Sequence, residues 1–259
     1  MTPASLLSRP VIRRYREEGL IVIDPFHEEN LGTSQYDVTL GEFFYREQHI
    51  AELPLVRASN MQAYPLYNPF DEEQVRALWS PEEARPFADI VRQYHLPRLR
   101  GIGPKDRVIL VKPGETILAH TNEFIGGSCD RVTTMMKARS SMGRNFWEVC
   151  KCAGMGDIGY FNRWTLEITN NSQHHILPLV VGRRVGQLVF FETEPLGTLD
   201  DYATVGKYQV SNSLEELKKL WKPEDMLPKQ WRDREARQAE KEWKEDDDLH
   251  EINSGNWRG

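Results

Sequence analysis

A chain of 259 residues with 39% hydrophobic residues can bury one substantial core, with room for a small appendage. Its formal net charge of −6 and pI near 5.7 argue against a general nucleic-acid binder while allowing a local basic pocket. No apolar run reaches the roughly eighteen residues of a membrane span, and MTPASLLSRPVIRRYREEG at the start has no apolar stretch of secretory length. Cys129, Cys150 and Cys152 are the three cysteines, too few for a disulfide framework and in keeping with a reducing cytoplasm. The expectation is a cytoplasmic protein without membrane contact or stable nucleic-acid binding.

The spacing predicts a short helix over 8–18, stopped by Gly19, and then the strand LIVID at 20–24. YDVTLG (36–41) and FFYRE (43–47) alternate as half-buried strands do. From 58 to 103 the text changes: NPFDEEQVRALWSPEEARPFADIVRQY reads as helical pieces broken by Pro81 and Pro86, an insertion on a β body. Strands resume in RVILVKPGETILAHTNEFI (107–125), with PGE as the turn between two apolar runs, and continue through 131–138, 146–153, 163–170, 175–182 and 185–193. Strands this numerous and short, joined by Gly, Pro and Asn turns, predict a mainly β sandwich or jelly roll with short helices. After Glu194 a polar stretch (195–212) leads to SLEELKKLW, where Ser213 followed by Glu216 makes a capping pattern. The segment from Pro228 is charged enough to be a solvated helix, with fraying expected around Asp246–Asp248. Residues 1–212 therefore form the body, carrying the 58–103 insertion, and 213–259 a charged helical extension.

Several chemistries drop out. A zinc nucleobase deaminase needs an H-x-E and a later PCxxC to hold its metal; His27-Glu28-Glu29 meets the first half, but Cys150 and Cys152 are one residue apart and no CxxC exists, so no catalytic zinc is expected. Walker and GxSxG motifs are missing. His174-His175 lies in the polar turn NNSQHH and reads as surface rather than metal ligand. Cys150 and Cys152, on an alternating strand, would share one face as small packing residues. What remains is RSSMGR at 139–144, a basic, hydroxyl-rich turn suited to an anion such as a polyphosphate. Some twenty residues on stands a lone acid with apolar flanks, Glu167 in WTLEITN.

RSSMGR, AGMGDIGYFNRWTLEITN, LPLVVGRRVGQLVFF and GKYQ occur in that order, and together they resemble the dCTP deaminase branch of the dUTPase-like superfamily. EEGLIVIDP (17–25) and SQYDVTLG (34–41) resemble the family's opening, and VKPGETILAHTNEFI (111–125) its central hairpin. The insertion and the tail after about 222 have no counterpart. The resemblance implies a distorted jelly roll of the dUTPase-like β-clip type. It also implies a homotrimer with shared active sites that hydrolyses dCTP to dUTP and ammonia without a catalytic metal, Mg²⁺ riding on the triphosphate. Deamination exchanges a 4-amino for a 4-keto group, and one carboxylate that shuttles protons serves both the attacking water and the departing amine.

Residue by residue, the resemblance assigns the shuttle to Glu167, with Ser140 and Arg144 completing the catalytic set. Arg139 and Ser141 would hold phosphate oxygens, such charge-assisted bonds being about twice as strong as neutral ones. Asp157 would accept from the deoxyribose 3′-hydroxyl, with a turn-forming Asp as the plain alternative, and Tyr160 would pack under the sugar or in the core. Thr165 and Leu166 would present backbone groups to the pyrimidine and Ala153 would line its pocket. Gln187 would reach the phosphates, Lys207 would close on the γ-phosphate, and Tyr202 would lie near the base. The family's usual Gln four residues after the lysine is Ser211 here, with Gln209 as its substitute. Plain dUTPases typically carry an apolar residue at the position of Glu167, so deamination of dCTP to dUTP is the first expectation. Ala153-Gly154 before Asp157 resembles bifunctional members that continue to dUMP and pyrophosphate, the Asp helping to activate the water at the α-phosphate; that is the alternative. Other substrates in view are dUTP and modified dCTP, and a nucleotide-binding regulatory protein is the non-enzymatic reading.

Overall fold

The computed structural model describes residues 5–51, 53–57, 63–151, 153–197 and 206–255. Packing divides the chain into two units, Met1–Glu47 with Pro81–Met226 and Gln48–Ser80 with Leu227–Gly259. Among the described residues no helix is long and apolar enough to cross a membrane.

In chain order the elements begin with α1 (Arg9–Glu17), β1 (Ile21–Asp24), β2 (Tyr36–Thr39), β3 (Phe43–Glu47), β4 (Leu55–Arg57), β5 (Ala63–Pro65), α2 (Glu72–Leu78), β6 (Trp79–Glu83), β7 (Arg85–Pro86) and α3 (Phe87–Tyr94). They continue with β8 (Arg107–Val111), β9 (Thr116–Gly127), β10 (Val132–Ala138), α4 (Ser140–Arg144), β11 (Trp147–Glu148), β12 (Met155–Gly156), β13 (Phe161–Asn170), β14 (Leu177–Val180), β15 (Arg184–Glu192), α5 (Leu214–Leu220) and α6 (Arg234–Gly255).

The first unit is a mainly β distorted jelly roll, as expected. One sheet runs β11-β13-β9-β3 with β1 on the far end of β9, a second runs β12-β10-β15-β2, and a third β14-β8-β7. Their inward residues share one core: Ile117, Leu166 and Ile168 from the first, Tyr36, Met136 and Phe190 from the second, Ile109 and Leu179 from the third. Period-2 alternation is clearest in β13, where Trp164, Leu166 and Ile168 are buried while Arg163, Thr165 and Glu167 are only half so. In α5 the predicted cap is formed, the Ser213 hydroxyl accepting from the Glu216 amide at 3.4 Å. Leu217 on its buried side packs on Phe124 and Phe161.

Two local expectations change. The strand expected over 146–153 is reduced to Trp147–Glu148, because Phe146, Cys150 and Lys151 take φ of 68°, 63° and 30°, outside the strand region of L-residues. Cys150 is therefore buried in a turn rather than on an alternating strand, and Cys152 lies outside the described residues. Pro81 and Pro86 sit in the short strands β6 and β7, which separate the helical pieces α2 and α3. The basic turn RSSMGR is a short helix, α4.

The second unit contains the hairpin β4-β5 and α2, whose Asp71 cap accepts from the amides of Glu73 and Gln74 at 2.9 and 3.3 Å. It also holds α6, which runs through Asp246–Asp248 to Gly255.

Candidate functional site

Glu167 stands on β13 opposite Leu118 of β9. Because its neighbours Leu166 and Ile168 are fully buried on the core face, its side chain leaves on the other face, within electrostatic reach of Cys150 and Lys151. Its Oε2 is buried and, among the described residues, has no hydrogen-bond partner. Burial pushes the carboxyl above the usual carboxylate range, while its own backbone amide and the Lys151 ammonium pull it down. Burial, and then the Glu167 charge, push the Cys150 thiol up, so that sulfur is an inert packing group. A half-buried carboxyl with one unengaged oxygen and a raised pKa is suited to taking up a proton and returning it.

The turn beside Glu167 is held backbone to backbone. The Ala153 amide donates to the Cys150 carbonyl at 2.9 Å and the Met136 amide to the Gly154 carbonyl at 2.6 Å. A Cβ on Gly154 would lie 2.4 Å from the Met136 carbonyl oxygen, so only glycine admits this approach. Thr165 and Leu166 pair with His120 and Ala119 of β9. On the opposite edge of β13, β11 pairs only at Thr169 and Asn170, so among the described residues no strand covers that edge at 165–167.

A second group gathers around Asp37, a residue that sequence reasoning missed. β2 and β15 pair with Asp37 opposite Gln187, and the Gln187 amide donates to Asp37 Oδ1 at 3.0 Å. Asp37 Oδ2 receives Arg139 Nε at 3.3 Å and Arg184 Nη1 at 3.1 Å. Two guanidiniums on one carboxylate leave a positive charge over. Arg139 occupies the N-cap position of α4, so Asp37 fixes the side chain at the base of the hydroxyl-bearing turn. Ser140, Ser141 and Arg144 are exposed. The signal for Asp37 was a lone acid inside the strand YDVT, all four residues of which are buried.

The third group is the 157–160 turn, closed by the Tyr160 amide donating to the Asp157 carbonyl at 3.1 Å, with Gly159 at φ +83°. The Asp157 side chain is exposed, and the Tyr160 ring meets Trp164 edge-on at 5.4 Å. Gln209 is placed differently from the expected phosphate contact. It is 2% exposed, accepts from the Phe161 amide at 2.8 Å, and donates to the Gly159 carbonyl at 3.3 Å and to Asn212 at 3.0 Å. Its amide thus anchors the GKYQ segment to the 157–160 turn, and Asn162 adds a bond to the Tyr208 carbonyl at 2.8 Å. Lys207 is half-buried; Tyr202 lies outside the described residues.

Among the described residues no hydrogen bond or ion pair joins Glu167 to Arg139, Ser140, Ser141 or Arg144. Among them, too, no group of three or more His, Cys, Asp and Glu is placed to hold a metal ion.

The dCTP deaminase-like family model matches residues 6–193. A dCTP deaminase, dUMP-forming, of Methanobrevibacter smithii is 30% identical over 187 residues, 72% of this chain and 79% of the relative. An enzyme of the same name from Clostridium botulinum is 26% identical over 211 residues, 81% of this chain and 93% of its own. Among solved structures, 2′-deoxycytidine 5′-triphosphate deaminase from Agrobacterium tumefaciens aligns with a TM-score of 0.48 at 15% identity, over 73% of this chain and 48% of that one, so this chain spans about half of its length.

Proposed function

This chain belongs to the dCTP deaminase-like family, and we propose that it hydrolyses dCTP to dUMP, releasing ammonia and pyrophosphate. The observation that carries this reading is that relatives named dUMP-forming match over the residues that hold Glu167 and Ala153-Gly154. It replaces the first expectation, deamination that stops at dUTP.

Glu167 takes a proton from the water that attacks C4 and delivers it to the ring nitrogen. From the tetrahedral intermediate it carries the hydroxyl proton to the amine, which leaves as ammonia as the 4-keto group forms. General acid–base help of this kind contributes about 10²- to 10⁴-fold. The unengaged Oε2 and the raised pKa support this role. Ser140 holds the water or the amine, and Arg144 supports the site electrostatically. The uncovered edge of β13 at Thr165 and Leu166 reads the pyrimidine, with Ala153 lining its pocket. In the second step water attacks the α-phosphorus, Asp157 assists in its activation, and pyrophosphate leaves. Arg139, Ser141, Gln187 and Lys207 hold the phosphates, Tyr202 and Tyr160 flank the nucleoside, and Gln209 acts by anchoring its segment.

Mg²⁺ enters with the triphosphate and supplies charge neutralisation there. The donor set around Asp37 fits that division, since its single carboxylate is already bonded to Arg139, Arg184 and Gln187. The assembly is a homotrimer with sites shared between subunits, acting in the cytoplasm.

Incubation of the purified protein with dCTP and Mg²⁺, with nucleotides, ammonia and pyrophosphate measured in parallel, tests the reading. Expected is dUMP with equal ammonia and pyrophosphate and no build-up of dUTP. Accumulating dUTP would return the assignment to deamination alone. Cleavage of dUTP with dCTP untouched would remove the role given to Glu167.

A further inference from the structure

A cleft of about 750 Å³ beside Asp37 carries four guanidiniums, those of Arg139, Arg163, Arg183 and Arg184. Arg139 is accounted for by the substrate reading; the other three are not. Their charges are unequally opposed. Arg184 shares Asp37 with Arg139, and Arg183 bonds to Asp106 at 3.0 Å and to the Gly101 carbonyl. The Arg163 guanidinium has neither hydrogen bond nor ion pair among the described residues, its buried Nε is left without an acceptor, and the charges of Glu42 and Glu123 act on it only from beyond ion-pair distance.

The Arg163 guanidinium lies over two aromatic rings, 5.2 Å from the centre of Phe124 and 4.6 Å from that of Trp221. Those faces fix its plane and take it partly out of water without neutralising it. The nearby Glu123 is fully buried and accepts from the Thr39 amide and hydroxyl at 3.0 and 2.8 Å, so it faces Thr39 instead. Glu29 is the carboxylate on the cleft wall and is exposed. A half-buried, unpaired arginine costs free energy that a bound anion would return, and the volume is that of a nucleotide-sized site.

We propose that this cleft is a second polyphosphate-binding site, with Arg163 on its floor and Arg183 and Arg184 on its rim, adjoining the substrate site at Arg139. Its ligand is a diphosphate or triphosphate group, either free pyrophosphate or the tail of an effector nucleotide. The proposal rests on the substrate reading only for what lies on the Arg139 side.

Calorimetric titration of the full chain with tripolyphosphate at low ionic strength tests it, since salt screens such contacts. The same titration is repeated on the Glu167→Gln protein saturated with dCTP. Binding is expected in both, and Arg163→Gln and Arg183→Gln should each weaken it about tenfold, the worth of a charged hydrogen bond, with KM for dCTP unchanged. Arg183 is exposed, so its variant keeps the test readable if Arg163→Gln folds poorly. Pyrophosphate binding as tightly as tripolyphosphate would assign the site to the product, and a purine nucleoside triphosphate binding more tightly would assign it to an effector. Expulsion of tripolyphosphate by dCTP, or wild-type affinity in both variants, would overturn the proposal. The nucleotide-free titration stands whether or not dCTP is turned over.

Discussion

The half-buried Glu167 and the fully buried His120, two titratable side chains whose pKa values burial shifts in opposite directions, sit on adjoining strands. Glu167 has a raised pKa because burial disfavours its carboxylate, and in the proposed role of base it would work only once ionised. The acid limb of the pH–rate profile should therefore fall at a pH above the ordinary carboxylate range, and Glu167→Gln should end ammonia release while dCTP still binds. The same substitution removes a charge that the fold accommodates at a cost. A carboxyl with its folded pKa above its unfolded value destabilises the protein at neutral pH, and the cost vanishes as pH falls through the folded pKa. Glu167→Gln should thus raise the melting temperature at pH 8 and lose that advantage near pH 4.5. Retained ammonia release, or a lowered melting temperature at pH 8, would remove the buried-shuttle account. His120 is the counterpart: 1% exposed and held neutral, it has a pKa pushed down by burial to about 4. Its Nδ1 faces the Thr121 carbonyl at 2.8 Å and its Nε2 faces the Phe43 amide at 3.3 Å. The unfolded chain takes up this proton near pH 6.5 and the folded chain only near 4, so stability drains away between those values, by roughly 3 kcal/mol in full. Urea unfolding at pH 7 and pH 5 should show a smaller loss in His120→Asn than in the native protein; equal losses would mean that another group governs the acid side.

At the scale of elements, the turn that carries Ala153-Gly154 is the place where sequence and backbone diverge most. Gly154→Ala puts a methyl against the Met136 carbonyl oxygen, and backbone cannot swing aside as a side chain does. The β10-β12 pairing has to shift, at a cost of about 1–3 kcal/mol. The melting temperature should fall by roughly 2–4 °C for each kcal/mol, and turnover of dCTP should drop with it; an unchanged melting temperature would mean that the turn relaxes freely. The strands around this turn were legible from the sequence because alternation fixes which face is buried, and β13 follows that alternation from Asn162 to Ile168. The 146–153 stretch was misread because positive φ at Phe146, Cys150 and Lys151 is imposed by tertiary packing on residue types that carry no turn signal. Glu167 was legible as an acid misplaced in an apolar strand. The part played by Asp37 was not, since its partners Arg139, Arg184 and Gln187 are more than a hundred residues away in sequence and meet it only through the pairing of β2 with β15.

At the scale of the whole molecule, the placement of Glu167 and α4 bears on assembly. Among the described residues no hydrogen bond or ion pair joins Glu167, the proposed proton shuttle, to the Ser140 and Ser141 hydroxyls proposed to serve it. In the proposed homotrimer a neighbour would supply the second half of the site. A closed cyclic trimer with head-to-tail contacts sets the same two surfaces face to face three times. Light scattering should then give a mass three times that of the chain. Subunit mixing makes the sharper demand. Glu167→Gln and Ser140→Ala homotrimers should each be nearly inactive, yet unfolding and refolding them together should restore sites built from an intact Glu167 of one subunit and an intact Ser140 of the next. Random assembly of an equal mixture gives about one intact site in four, so about a quarter of native activity should return. No recovery from a mixture shown to contain mixed trimers would place the whole reaction inside one subunit, and the division of labour between β13 and α4 would have to be abandoned.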